Sequence, residues 1–224
     1  MADQPSNNPV LAIAMGKAME SPVVVIGPQF LTENPVDLTI SSKIVTLGES
    51  DFSVSDANGT LIFRVKSKLA SIRDVRHLKD AAGNTLVTLK QKIRTIHRRW
   101  QAFRGDSMDD KDLLFSVKKS SVFQFKTQLD VFLASNTSET APNFKIKGNW
   151  LERSCTIYSG DGESNTIVAQ MHKEHTVKTL ALDSDKFGVT VSENVDYAFI
   201  VALVVVLNEI NADRGGDGIF GEDD

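Results

Sequence analysis

Cysteine is almost missing from this chain: Cys155 is the single one in 224 residues. One thiol closes no intrachain disulfide, so a disulfide-stapled secreted fold is excluded and a reducing compartment is expected. No basic region precedes the short apolar run Val10 to Met19, which Lys17 interrupts, so a signal peptide is not expected either. Charge of one sign is also lacking: the formal net charge is only -4, which disfavours a nucleic-acid binder relying on bulk positive charge. Long hydrophobic runs are short here. The uncharged apolar stretch Tyr197 to Leu207 spans, at ~1.5 Å per residue, about 16 Å of helix, against a hydrocarbon core about 30 Å thick, so no transmembrane span is expected.

Enzyme signatures are absent as well. There is no G-x-S-x-G elbow, P-loop or dinucleotide fingerprint. Ser154-Cys155 with His172 is the nearest approach to a nucleophile and base, and a small buried cysteine is the preferred reading. His172 and His175 would face opposite ways on a strand, so they do not suit a metal. Asp183-Ser-Asp185 followed by Gly188 starts like a calcium loop, but Phe187 and Asn194 stand where oxygen ligands belong. No catalytic residue, cofactor or metal is expected, and the chain is expected not to be an enzyme. Asn58-Gly-Thr60 and Asn136-Thr-Ser138 fit the glycosylation pattern and are read as exposed turns.

What the sequence does hold is a period of two. Leu61, Phe63 and Val65 alternate with Arg64 and Lys66; Val87 and Leu89 with Lys90 and Lys92; Phe115 and Val117 with Ser116 and Lys118. Phe123 and Phe125, then Leu129, Val131 and Leu133, then Phe187, Val189 and Val191 continue the rhythm. Each run reads as a strand with one wet face. Asp56-Ala-Asn-Gly59, Asp80-Ala-Ala-Gly83 and Gly160-Asp-Gly162 supply turn chemistry between the runs. The segment from Asp56 to Lys66 is echoed from Asp80 to Lys90 with one extra residue before the Leu, read as two hairpins sharing a turn recipe.

Val195 to Ile210 breaks this rhythm and is predicted to be a helix, about residues 195–212, with Asn194 as N-cap and Asp196 complementing the first-turn dipole. A helix apolar all round must be wrapped all round. Half-wet strands need an apolar partner, so the fold predicted is mainly β: a closed antiparallel barrel around the buried C-terminal helix. Residues 1–22 are expected to form a flexible arm, 23–212 one barrel domain, and 213–224 an acidic, Gly-rich tail.

Several runs also resemble a known family. Phe52-Ser-Val-Ser-Asp-Ala-Asn-Gly59, Leu61-Ile-Phe-Arg-Val65, Asp80 to Lys90, Trp100-Gln-Ala-Phe-Arg-Gly105, Gly148-Asn-Trp-Leu-Glu-Arg-Ser-Cys155, Ile167-Val-Ala-Gln-Met-His172 and Val195-Asp-Tyr-Ala-Phe-Ile200 are similar to the plant LURP-one-related family. The resemblance covers roughly Val23 to Asp213. It implies a tubby C-terminal-like barrel of about twelve strands around a buried C-terminal helix, of the kind shared with phospholipid scramblases, and by analogy a membrane-tethered, phospholipid-binding protein, linked to transcription and plant defence.

The one functional-looking feature in the residues themselves is charge. From Ala81 to Gly105 there are six Lys/Arg residues and no acid. Lys90, Lys92 and Arg94 share parity and project from one strand face about 7 Å apart, with Arg98 and Arg99 at the adjoining turn. This set suits phosphate oxygens, above all of anionic phospholipid head groups at a membrane surface. The competing reading is an outer strand kept soluble by lysine. Trp100 and Phe103 beside it either close the core or insert at a membrane interface. An intracellular adaptor for protein partners is the alternative function; DNA is disfavoured by net charge, and a monomer, cytoplasmic and membrane-associated or nuclear, is expected.

Overall fold

Strict alternation along the strands leaves two stripes per segment, and the computed structural model closes twelve such segments into a ring that hides one stripe of each. It describes residues 21–45, 49–67, 75–92, 99–120, 127–162, 166–173 and 184–216. The strands are β1 (Val36–Val45), β2 (Glu49–Asp56), β3 (Leu61–Ser67), β4 (Val75–Asp80), β5 (Thr85–Lys92), β6 (Arg99–Arg104), β7 (Leu113–Lys119), β8 (Thr127–Leu133), β9 (Phe144–Gly148), β10 (Thr156–Ser159), β11 (Ile167–Lys173) and β12 (Ser184–Val191), followed by helix α1 (Tyr197–Gly216). Every strand pairs antiparallel with its sequence neighbours, and β12 returns to β1 with Leu38 opposite Val189 and Ile40 opposite Phe187. Closure removes the unpaired edges that an open sheet of this length would expose.

The predicted alternation holds at most described positions; Ser116, expected on the wet face, is buried, and Leu61 and Leu133, expected to face in, are only half-buried. Phe63, Val65, Val87, Leu89, Phe115, Val117, Leu129, Val131, Phe187, Val189 and Val191 are buried, while Arg64, Lys66, Lys90 and Lys92 are exposed. Phe123 and Phe125 lie outside the described residues. The echoed hairpins do share one recipe, and the structure aligns them without the extra residue. Asp56 Oδ1 accepts the Thr60 N–H as Asp80 Oδ1 accepts that of Asn84, and Gly59 and Gly83 take left-handed φ of 81° and 94°. Ile62 and Leu86 are the bulged residues in the same position of each hairpin.

Helix α1 threads the ring. Ala198 to Leu207 are no more than 3% exposed, and Phe199 meets Phe115 and Phe144 with ring centroids 5.1 Å away in each case. Full burial of one such side chain is worth about 1.5–3 kcal/mol. The helix starts two residues later than the sequence suggests and ends at Gly216, beyond the boundary of 212 read from the apolar run. The cap is corrected too. Asn194 sits in a left-handed bend with φ 58°, and Asp196 caps the helix through Oδ1, which accepts the Phe199 N–H at 3.0 Å. Its Oδ2 accepts the N–H groups of Val25, Ile26 and Gly27 at 3.1, 2.7 and 3.0 Å. The segment before β1 is thereby strapped across the barrel end where α1 enters, with Val23 bridging Val195 and the Arg104 guanidinium donating to the Ile26 carbonyl at 2.9 Å. At the opposite end, Arg76 of β4 grips Glu209 with Nε···Oε1 3.0 Å and Nη2···Oε2 2.8 Å, both side chains about nine-tenths buried. Residues 1–20 and 217–224, which hold most of the predicted arm and tail, lie outside the described residues.

Candidate functional site

Charge on the outer face is set by which wet stripes the barrel brings side by side. On β5, Lys90 and Lys92 are exposed, and Lys92 stands directly opposite Arg99 of β6. Arg94 and Arg98 fall in 93–98, outside the described residues. β3 lies two strands away, about 10 Å across the sheet, and also carries Arg64 and Lys66 outward, but further along the wall: through β4, Lys66 is level with Thr88 and Arg64 with Thr85. Between them, Lys79 of β4 is turned back onto its own hairpin, donating to Thr85 Oγ1 at 2.7 Å. Within β3, β4 and β5 the only carboxylate is Asp80, at the hairpin turn.

Arg99 stands differently. Glu139, in the β8–β9 connection, takes both guanidinium nitrogens at 2.6 Å each, and Lys118 of β7 adds an ammonium at 3.3 Å. Hydrogen bonding from Arg99, ahead of its charge and that of Lys118, holds the Glu139 carboxyl below the usual carboxylate range. The pair therefore contributes above that range, and its contribution is lost as pH falls through the lowered value. Like charges facing each other at Lys92 and Arg99 would repel, and Glu139 offsets this.

Trp100 and Phe103 are both 2% exposed, so neither is presented for interface insertion; Trp100 packs in the barrel core, and Phe103, opposite Thr88, is buried outside that cluster. Cys155 and His172 do not come together: the thiol is buried on the inner side, while the imidazole lies exposed over Gly188 on the outer side. Burial pushes the Cys155 thiol up to about 11. At pH 8 the native protein is expected to resist a thiol-specific disulfide reagent over hours and to react within minutes in denaturant; fast native labelling would show that Cys155 reaches solvent. Residues 184–191 run as β12, an extended strand where a calcium loop would need to curl, and Asp183 lies outside the described residues, as does His175. Among the described residues no group of three or more His, Cys, Asp or Glu side chains is placed to hold a metal, and no helix is long and apolar enough to cross a membrane.

Arg64, Lys66 and Lys118 were visible in the sequence as wet-face cations of their own strands. That Lys118 shares Glu139 with Arg99, and that Arg64 and Lys66 lie on the same wall as Lys90 and Lys92, is a matter of strand order and register, which single-strand periodicity does not carry.

The comparisons with known proteins agree with this architecture. A family profile described as LURP-one-related matches residues 36–208. Protein LURP-one-related 15 of Arabidopsis thaliana is 48% identical over 188 residues, covering 84% of this chain and 86% of that protein. Protein LURP1 of the same plant is 43% identical over 192 residues, covering 86% and 92%. An X-ray structure of an Arabidopsis thaliana protein superposes with a TM-score of 0.66 at 41% identity, covering 84% of this chain and 98% of that one.

Proposed function

The chain belongs to the LURP-one-related family, and on that premise we propose that it is a non-enzymatic binding module that docks on anionic phospholipid head groups. The observation that carries this reading is the exposed, outward-facing set Arg64, Lys66, Lys90 and Lys92 on β3 and β5, the two strands that flank β4 in the barrel wall. Arg94 and Arg98 extend the set in sequence. The sheet spares the backbone any ordering cost on binding, and each Lys or Arg near an anionic leaflet is worth about 1 kcal/mol. On this reading the chain is intracellular, tethered at a cytoplasmic membrane face as the family resemblance implies, with plant defence as its setting.

Flotation with vesicles tests it. Binding is expected to vesicles containing phosphatidylinositol phosphate and not to phosphatidylcholine alone, and to weaken with added salt. The variant Arg64→Ser/Lys66→Ser/Lys90→Ser/Lys92→Ser is expected to bind on the order of a hundredfold or more weakly, from the summed loss of four surface cations. Equal binding to both vesicle types, or none to either, sinks the reading. Affinity capture of a protein partner that survives the fourfold substitution would favour the adaptor alternative.

A further inference from the structure

The β8–β9 connection does not simply cross the barrel rim; it folds back over the outer wall. Asn136 organises it, donating from Nδ2 to the Ala141 carbonyl and to Asn143 Oδ1 at 2.9 Å each and accepting the Glu139 N–H on Oδ1 at 3.1 Å. Glu139 itself sits at φ 48°, a conformation that a residue with an L side chain rarely adopts. This local strain is imposed where the carboxylate is delivered into the fork of Arg99 and onto Lys118. Lys118 is seated from below, its ammonium 4.3 Å from the centre of the Phe132 ring.

Around the pair, Asp130 faces Lys118 across β7–β8, and Lys145 takes Asp130 at 3.1 Å. Within this group of described residues three cations, Arg99, Lys118 and Lys145, meet two carboxylates, Glu139 and Asp130. The side chains of Arg99, Lys118 and Glu139 are each 26% exposed, so the pair is open to solvent and to a competing anion.

We propose that Arg99 and Lys118 form a seat for a phosphate group, and that Glu139 fills it as a displaceable internal stand-in. The inference rests on the docking reading above and deepens it. A planar guanidinium offering two parallel N–H groups, with an ammonium at its flank, matches two phosphate oxygens as well as it matches a carboxylate. A phosphate monoester carries about 1.5–2 negative charges and a third oxygen, so it draws more from the same cations than one carboxylate does. A partly exposed ion pair is weakly held, which makes exchange feasible. In the free chain the seat is masked, and contact with a phosphate-bearing surface would lift the β8–β9 connection off the wall.

Glu139→Gln tests this, because it keeps the shape of the side chain and removes its charge. Its affinity for vesicles carrying phosphatidylinositol phosphate is expected to rise about fivefold over the unaltered chain, the release of one partly exposed pair. Adding Arg99→Ser is expected to abolish the gain, and Glu139→Asp, which keeps the charge and shortens its reach, is expected to gain less. If the unaltered chain binds such vesicles and Glu139→Gln binds no better while melting at a lower temperature, Glu139 only pins its loop; the inference fails and the docking reading stands. If neither binds vesicles or a soluble inositol phosphate, both fail. If Glu139→Gln binds soluble inositol phosphate and neither protein binds vesicles, the seat stands as one for a free phosphate and membrane docking fails.

Discussion

Leu203→Asp is expected to leave the chain unable to fold. Leu203 is 0% exposed midway along α1, with Ala202 and Val204 beside it at 0% and 2%. The carboxylates that the barrel does accommodate on this segment, Asp196 and Glu209, lie about two turns away on either side, roughly 10 Å along the axis. A new carboxylate at 203 would meet neither the backbone N–H groups that receive the first nor the guanidinium that receives the second. Burying it unpaired costs several kcal/mol, against a total stability of about 5–15 kcal/mol for a domain. Circular dichroism melts check this: loss of the cooperative transition is expected, whereas Leu203→Met, which conserves volume, is expected to cost less than about 1.5 kcal/mol. A Leu203→Asp protein that melts like the unaltered chain would mean that α1 is not enclosed.

Asp196→Ala should cost nearly as much. One oxygen of this fully buried carboxylate accepts the N–H groups of Val25, Ile26 and Gly27, and the other caps α1 at Phe199. Each donor orphaned in the interior costs about 1–3 kcal/mol, and loss of the cap about 1 more; with partial relaxation the total is roughly 3–5 kcal/mol. Asp196→Asn is expected to be only a little milder, since its amide hydrogens would confront the same three donors. Chemical denaturation gives the magnitude, and hydrogen exchange gives the location: amides of Val25, Ile26 and Gly27 should lose protection ahead of the barrel strands. Unchanged stability together with unchanged exchange at those amides would show that something else holds the strap.

The two ends of α1 explain why polar groups persist inside such an apolar wall. Contacts among Val, Leu and Phe are non-directional, so a smooth greasy helix could slide or rotate in its sleeve at small cost. Asp196 against the strap and Glu209 against Arg76 give it a defined depth and a defined rotation. Neither partner was visible beforehand. From its own helix Asp196 reads only as a dipole complement, and nothing local to Val75–Asp80 says that the Arg76 side chain turns inward.

The basic face followed the same division. Lys90 and Lys92 are legible as exposed cations because Val87 and Leu89, of the opposite parity on the same strand, must face in, and the structure agrees. Arg99 was read as their partner toward phosphate, yet it is engaged by Glu139, forty residues on in the chain. Arg64 and Lys66 share their wall of the barrel, two strands away, for a reason no window of ten residues contains.

Alternation of apolar and polar residues, turn chemistry at Asp56 and Asp80, and an apolar run too short for a bilayer were enough to determine a closed β-barrel around a helix, because each is a local rule with a period or a length. Tertiary structure alone decided which carboxylate answers which cation, how deep the helix sits, and which lysines share a surface. Those outcomes depend on strand register and on contacts between residues far apart in the chain, where a shift of one position would exchange inside for outside and leave every local pattern intact.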